Sequence, residues 1–335
     1  MTTTVHGDEE FVRLTRPFER ELLAYCYRML GSVHDAEDLV QEIYLRAWRG
    51  YAGFEGRAAL RTWLYRIATN VCLRALERRR GRRDLPAGLG GPTEDPTAPL
   101  AAALPEPAWL QPIPDALFVA ETRAAAGAAD PAAIVTAREG MRLALTAAFQ
   151  YLPPRQRAVL ILRDVLGTRA AEAADLLGIS TAAVNSVLQR ARARLAEVAP
   201  VASEVRGPGE PAQRALLDRY AAAFENADMV ALMGVLTEDA VWEMPPTPSW
   251  FVGPEAIVAL IAARCPALLR GGRMIRTAAN GQPAFALYAP DPDGVMRPHA
   301  IQVLTLTDAG VTRVVSFMDR ALFPTFGLPD RPPGR

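Results

Sequence analysis

Two stretches dense in proline and glycine divide this chain before any helix or strand is drawn. The first runs over 81–112, with GLGGPTEDPTAP (88–99) inside it and LPEPAWLQPIPDAL (104–117) running past its end. The second, PVASEVRGPGE, covers 200–210. Proline has no N–H to donate and glycine loses the most backbone freedom on ordering, so neither a helix nor a central strand runs through such segments. They leave three foldable blocks, 11–84, 131–199 and 211–330, joined by linkers over 85–130 and 200–210. A chain of 335 residues is long enough for that many domains.

The first two blocks read as helical. Leu22, Leu23, Cys26, Met29 and Leu30 make one apolar stripe, which Gly31 ends. A second helix runs from His34–Asp35 to Trp48. After the glycine loop GYAGFEG (50–56) a third runs from Arg57 or Ala58 to Arg80. In the second block a helix over 131–150 is followed by one in PPRQRAVLILRD, broken at Gly167. The third block reads differently. One long helix, 211–236, and another at 254–269 precede strand-like runs at 274–279, 284–288, 300–307 and 311–317. The expected fold class is multidomain: two all-α domains, the second with a helix-turn-helix, and a C-terminal α+β domain.

All 37 basic residues are arginine, balanced by 37 acids. The balance excludes a polybasic coat but not local patches: two mildly basic blocks, 1–90 and 151–210, flank an acidic, proline-rich one. Cys26, Cys72 and Cys265 stand far apart among apolar residues, which predicts buried free thiols and no metal site. No signal-peptide pattern and no apolar run of membrane-spanning length is present, so the expectation is a soluble cytoplasmic protein that needs no cofactor.

The sharpest local pattern lies between Arg169 and Leu195. AAEAADLL precedes Gly178–Ile179–Ser180, and Ser180 is a natural N-cap for the next helix. In that helix Val184, Val187, Leu188, Ala191 and Leu195 face inward. Thr181, Ala182, Asn185, Ser186, Gln189 and Arg190 face out, short and polar first, basic later. A helix entering a major groove needs that order, because short side chains permit approach while amides and arginine read base edges. Arg155 and Arg192 are among the arginines that neutralise phosphate. Upstream, Arg57, Arg61 and Arg66 interleave with Phe54, Trp63 and Tyr65, a mixture suited to unpaired bases and phosphates. Asp35, Glu37, Asp38 and Glu42 crowd the start of the second helix. The helix dipole favours acids there, and an acidic helix beside basic surfaces also suits a protein partner. Trp109 in its proline-rich segment requires a surface, either on its own domain or on a partner. These features alone leave three readings open: a promoter-binding polymerase subunit, a ligand-sensing helix-turn-helix regulator, and a DNA-binding module fused to an enzyme.

Three segments resemble the extracytoplasmic-function, or group 4, sigma factors of bacterial RNA polymerase. They are MLGSVHDAEDLVQEIYLRAWR (29–49), FEGRAALRTWLYRIATNVCLRALERR (54–79) and YLPPRQRAVLILRDVLGTRAAEAADLLGISTAAVNSVLQRARARL (151–195). The resemblance implies that Asp35, Glu37, Asp38, Leu39, Gln41 and Glu42 lie on the helix that docks core polymerase. It implies that Phe54, Arg57, Arg61, Trp63 and Asn70 open and read the −10 element. It also implies that Arg155, Thr181, Ala182, Asn185, Ser186, Gln189, Arg190 and Arg192 meet the −35 element. Further on, LLDRYAAAFENADMVALMGVLTEDAVWEMPP (216–246) is similar to SnoaL-like domains of the NTF2 superfold, as fused to actinobacterial sigma factors of the sigma-G and sigma-J groups. That likeness implies a cone-like α+β domain that regulates the sigma part intramolecularly. Since the superfold hosts enzymes and non-enzymes alike and the sequence pairs His299 with no carboxylate, the expectation is that it is not an enzyme. Trp242, Trp250, Phe285, His299 and Asp319 are its pocket candidates, for an unidentified small ligand.

Overall fold

A computed structural model describes residues 3–54, 56, 59–79, 81–104, 109–118, 141–198, 211–265 and 268–333. The chain forms two compact units, one of residues 1–83 with 115–199, the other of 84–114 with 200–335.

The first unit is helical. It contains α1 (Thr3–Thr15), α2 (Glu19–Leu30), α3 (Val33–Tyr51), α4 (Leu60–Arg78), α5 (Leu143–Gln150), α6 (Pro154–Leu160), α7 (Ala170–Leu177) and α8 (Thr181–Val198). The stripe expected on α2 is buried, and Gly31 ends that helix. Ser32 caps α3 by accepting from the Asp35 N–H at 3.2 Å. Cys26 and Cys72 are buried with their sulfurs 3.6 Å apart, whereas Cys265 in the other unit is only half-buried, contrary to expectation. One feature had no sequence signature: α6 runs on into a π-helical turn, Ile161–Val165. The expected start of the helix over 131–150 lies outside the described residues.

The second unit holds α9 (Pro211–Glu225), α10 (Met229–Met233), β1 (Leu236–Glu243), β2 (Trp250–Val252), α11 (Pro254–Arg264), β3 (Arg273–Ala279), β4 (Gln282–Pro290), β5 (Met296–Thr307), β6 (Gly310–Phe317) and α12 (Leu322–Thr325). The long helix expected over 211–236 is broken. Ala227 takes a positive φ of 54°, Asp228 caps a second short helix through the Ala231 N–H, and a strand starts at Leu236. β1 and β2 were both missed. The six strands form one sheet in the order β2-β1-β6-β5-β4-β3, with β1 and β6 parallel and every other pair antiparallel. Gly310 is required where β6 begins: a Cβ there would stand 2.8 Å from the Val235 carbonyl oxygen. One sheet face packs on α9, α10 and α11 around Tyr220, Phe224, Trp242, Phe285, Leu304 and Val314.

The larger correction concerns the connection after Arg83. Residues 85–130 were expected to be a linker, yet 84–114 folds as part of the C-terminal unit. The Ala87 N–H donates to Glu243 Oε1 at 2.8 Å, on the sheet face opposite Trp242 and Met244. Trp250 Nε1 donates to the Gly90 carbonyl at 2.9 Å, and the Thr93 N–H to the Trp250 carbonyl at 2.7 Å. Arg264 donates to the Thr97 carbonyl, the Ala101 N–H to Ser249 Oγ, and the Leu104 N–H to the Pro246 carbonyl. At the far end Ile113 and Asn280 exchange bonds, the Ile113 N–H to Asn280 Oδ1 at 3.1 Å and the Asn280 N–H to the Ile113 carbonyl at 3.0 Å. Trp109, Leu110 and Ile113 are buried. Proline and glycine kept this segment out of α-helices and strands, leaving one 3-10 turn at Pro86–Gly88 and isolated bridges, and several of its free N–H and C=O groups found partners on the domain. That is what a backbone leaving water must do. Pro105 and Pro107 lie outside the described residues.

Candidate nucleic-acid interface

On α3, Asp38 and Gln41 are exposed, while Glu37, Leu39 and Glu42 are half-buried. Asp35 is turned to its own domain, where its carboxylate pairs with the buried Arg83 at 2.6 Å. Glu42 pairs with Arg46 one turn on. Beyond Gln41 the same face carries Leu45 and Trp48, 56% and 49% exposed. The sequence reading ran the helix through both without assigning either to a face. Their spacing from Gln41, four and seven residues, was the signal that could have placed them on the outer face.

The loop after α3 and the start of α4 bring Tyr51, Phe54 and Trp63 together. Phe54 stacks on Tyr51 at 6.4 Å between ring centroids and lies 4.9 Å from Trp63. Phe54 and Trp63 are both half-buried, and Asn70 is exposed two turns on from Trp63 along the same helix face. Arg61 reaches back to α2. Its Nε donates to Glu21 Oε1 at 2.6 Å, and the Tyr65 hydroxyl donates to the same oxygen at 2.8 Å. Arg57 lies outside the described residues.

In the helix-turn-helix, Gly178 ends α7 in the left-handed region at φ 64°, where an L side chain would be strained. Ser180 Oγ accepts from the Ala183 N–H at 3.2 Å and so starts α8. Val184, Leu188 and Ala191 are buried. Thr181, Ala182, Asn185, Ser186, Gln189, Arg190 and Arg192 are exposed, as is Arg155 on α6. Sequence and structure agree here nearly residue for residue.

The two helical halves of this unit touch. Thr62 Oγ1 donates to Glu172 Oε1 of α7 at 3.1 Å. A cleft of about 650 Å³ is lined by Thr62, Trp63 and Arg66 on one side and by Asp175, Gly178 and Ser180 on the other. Elsewhere the last turn of α2 is capped from outside. The carbonyls of Arg28, Met29 and Leu30 accept from Gln150 Nε2, Arg157 and Arg79 respectively. Arg157 also donates to the carbonyls of Gln150 and Leu152 at 3.0 and 3.1 Å. Burial, with Arg79 nearby, lowers the Arg157 pKa to about 9. Burial and the charge of Arg83 lower that of Arg79 to about 10.

The five pocket candidates of the C-terminal domain do not converge. Trp242 and Phe285 are core: Trp242 stacks on Phe224 at 6.1 Å, and Phe285 lies 5.8 Å from Tyr220, whose hydroxyl donates to Gln302 Oε1. Trp250 is bound to the 84–114 segment. His299 is the unmatched residue of the β4–β5 bulge, and its pKa is lowered by burial and by Arg320. The Asp319 carboxylate accepts the Ala321 N–H. Among the described residues no hydrogen bond joins His299 to a carboxylate, and no helix is long and apolar enough to cross a membrane.

Three family models match the chain: Sigma-70 region 2 over 14–82, Sigma-70 region 4 over 142–195, and the SnoaL-like domain over 217–314. The ECF RNA polymerase sigma factor SigG of Mycobacterium tuberculosis is 52% identical over 323 residues, which is 96% of this chain and 84% of that protein. The sigma factor SigM of the same organism is 32% identical over 195 residues, 58% of this chain and 80% of that one. In fold, the crystal structure of the M. tuberculosis extracytoplasmic-function sigma factor SigJ matches with a TM-score of 0.57. It covers 94% of this chain and all of that one, at 22% identity. A groove-reading helix, an aromatic–arginine helix and near-complete coverage by such a relative lead to one assignment: the chain belongs to the extracytoplasmic-function sigma factors, promoter-specificity subunits of RNA polymerase, with a SnoaL-like domain fused at the C-terminal side.

Proposed function

We propose that this chain acts in the cytoplasm and brings core polymerase to promoters through α3. Phe54, Arg57, Trp63 and Asn70 then meet the −10 element, and the outer face of α8 meets the −35 element. The C-terminal domain carries out no reaction in this reading. It regulates by holding the connection between the two DNA-binding halves. The observation that carries this is the seating of residues 84–114, bonded to the C-terminal domain from Ala87 to Ile113. While Ala87 to Ile113 is held, that part of the connection cannot lengthen, so the separation the two halves reach grows when the domain lets it go. The reading that the domain carries out no reaction rests on Tyr220, Phe224, Trp242 and Phe285 packing against one another in the core where a pocket was expected.

Reconstituted transcription tests it. Trp250→Phe and Asn280→Ala each remove one anchor of the segment, at Gly90 and at Ile113. The double variant is expected to raise specific transcript yield about fivefold or more, the low end of usual coupling between sites. Proteolysis within 84–114 should report the release. Release without any change in yield overturns the proposal.

A further inference from the structure

On α8 the exposed residues form a strip with an arginine at each border. At about 100° per residue, Ala182 and Gln189 lie near its centre, Arg192 near the Thr181 border, and Arg190 roughly 160° around from Arg192. Both arginines are held by a neighbour. Arg190 donates to Ser186 Oγ at 3.1 Å. Arg192 is held more firmly: its Nε donates to Asp164 Oδ2 at 2.8 Å and its Nη2 to Asp164 Oδ1 at 2.6 Å. Asp164 sits in the π-helical turn that ends α6. Arg163 beside it donates to the Thr168 carbonyl, which ties that turn down.

An exposed ion pair contributes little to stability, and the Arg192 side chain is 61% exposed. What the two parallel bonds do is select one orientation of a long, flexible side chain. They occupy Nε–H and one Nη2–H. Three of the five guanidinium hydrogens remain for a second acceptor. A strip of short, base-reading side chains between two oriented cations matches a major groove with a phosphate backbone on each wall. Phosphate contacts set the register from which base contacts are made.

We propose that Asp164 is a positioning residue for −35 recognition: it braces Arg192 so that the guanidinium meets one phosphate in a fixed register. The proposal rests on α8 being the −35-reading helix. Simple electrostatics makes the opposite prediction, because removing a carboxylate beside DNA tightens binding to any duplex.

The test uses holoenzyme reconstituted with the full chain and a promoter that the wild-type holoenzyme selects, with its −35 element intact or scrambled. Affinity for both DNAs is measured against salt for wild type, Asp164→Asn, Arg192→Ala and the double variant. Asp164→Asn keeps the side chain's size at an exposed site, so folding is not at issue. It is expected to lower the intact-to-scrambled affinity ratio about fivefold or more, with binding to scrambled DNA unchanged or tighter. Arg192→Ala should lower the same ratio and flatten the salt slope by about 0.9, one phosphate contact. The double variant should match Arg192→Ala. A ratio for Asp164→Asn within twofold of wild type overturns the proposal, as does an effect that persists in the Arg192→Ala background. If Arg192→Ala changes neither ratio nor slope, Arg192 does not touch the DNA and the brace fails. An intact-to-scrambled ratio that stays unchanged when Asn185 and Gln189 are both replaced by alanine overturns the placement of α8 on the −35 element instead.

Discussion

Arg157 shows why a single residue can be placed by sequence and still be misread. The pattern YLPPRQR marks it as an arginine near a DNA-binding helix, one of several available for phosphate. The structure buries it to 3% exposure and gives it no carboxylate among its bonded partners. Its acceptors are the Gln150 side chain and backbone carbonyls at the C-terminal ends of α2 and α5. Those ends have orphan carbonyls and carry the negative pole of the helix dipole, so two helices together stand in for a counter-ion. Nothing in a local sequence window reports that convergence, because Met29 and Arg157 are 128 residues apart. Arg157→Ala strands these carbonyls, and the expected cost is about 3 kcal/mol within the helical unit. Hydrogen exchange at the α2 and α6 amides reads it as a loss of protection of roughly two orders of magnitude. Protection within a few-fold of wild type would mean that water satisfies the carbonyls and the guanidinium is expendable.

At the scale of elements, legibility follows how local the determinants are. α7, the Gly178 turn and α8 are set by a left-handed glycine, a serine cap and an apolar stripe within about one turn of each other, and all were readable. β1 was not, because LTEDAVWE follows directly on a helical pattern, and of its two partners β6 lies more than 70 residues away and β2 is only three residues long. The attachment of 84–114 to the domain was hidden for a related reason: composition excludes helix and central strand there but is silent on what the backbone binds. α3 is an intermediate case. Its periodicity gives the helix but did not place Leu45 and Trp48 on a face, and both are exposed. Exposed apolar side chains in line with Asp38 and Gln41 mark a protein-docking face, with an acidic rim and an aromatic centre. Leu45→Ala and Trp48→Ala are each expected to leave the melting temperature nearly unchanged, as surface substitutions do, while weakening core-polymerase binding about tenfold or more. Equilibrium competition for core enzyme against a second sigma factor checks this. Wild-type competition by both variants would move the docking face elsewhere.

For the molecule as a whole, the helical unit presents a conflict that only motion resolves. Trp63 and Arg66, on the −10 helix, line the same cleft as Gly178 and Ser180, at the start of the −35 helix. On B-form DNA the centres of those two elements are separated by about 25 base pairs, and at 3.4 Å each that is roughly 85 Å. With the roles proposed above for α4 and α8, surfaces that share a cleft cannot both occupy their elements, and the structure then corresponds to the closed, promoter-free chain. The contacts that close it are few and polar at α4–α7 (Thr62 to Glu172) and buried at the α2 terminus (Arg157 and Gln150). Opening therefore means breaking the second set, which is affordable only when polymerase and DNA supply a larger gain. Dyes placed by Arg66→Cys and Asn185→Cys, in a chain whose own cysteines are replaced, should show efficient energy transfer in the free protein. Transfer should fall to near zero once core polymerase and promoter are both bound, since the separation then exceeds the range of ordinary dye pairs. A signal that stays high in a complex competent for initiation would mean that the −10 and −35 surfaces assigned here are not the ones used. A free protein with low transfer would mean that the halves are already apart, and that neither Arg157 nor the bound 84–114 segment restrains them.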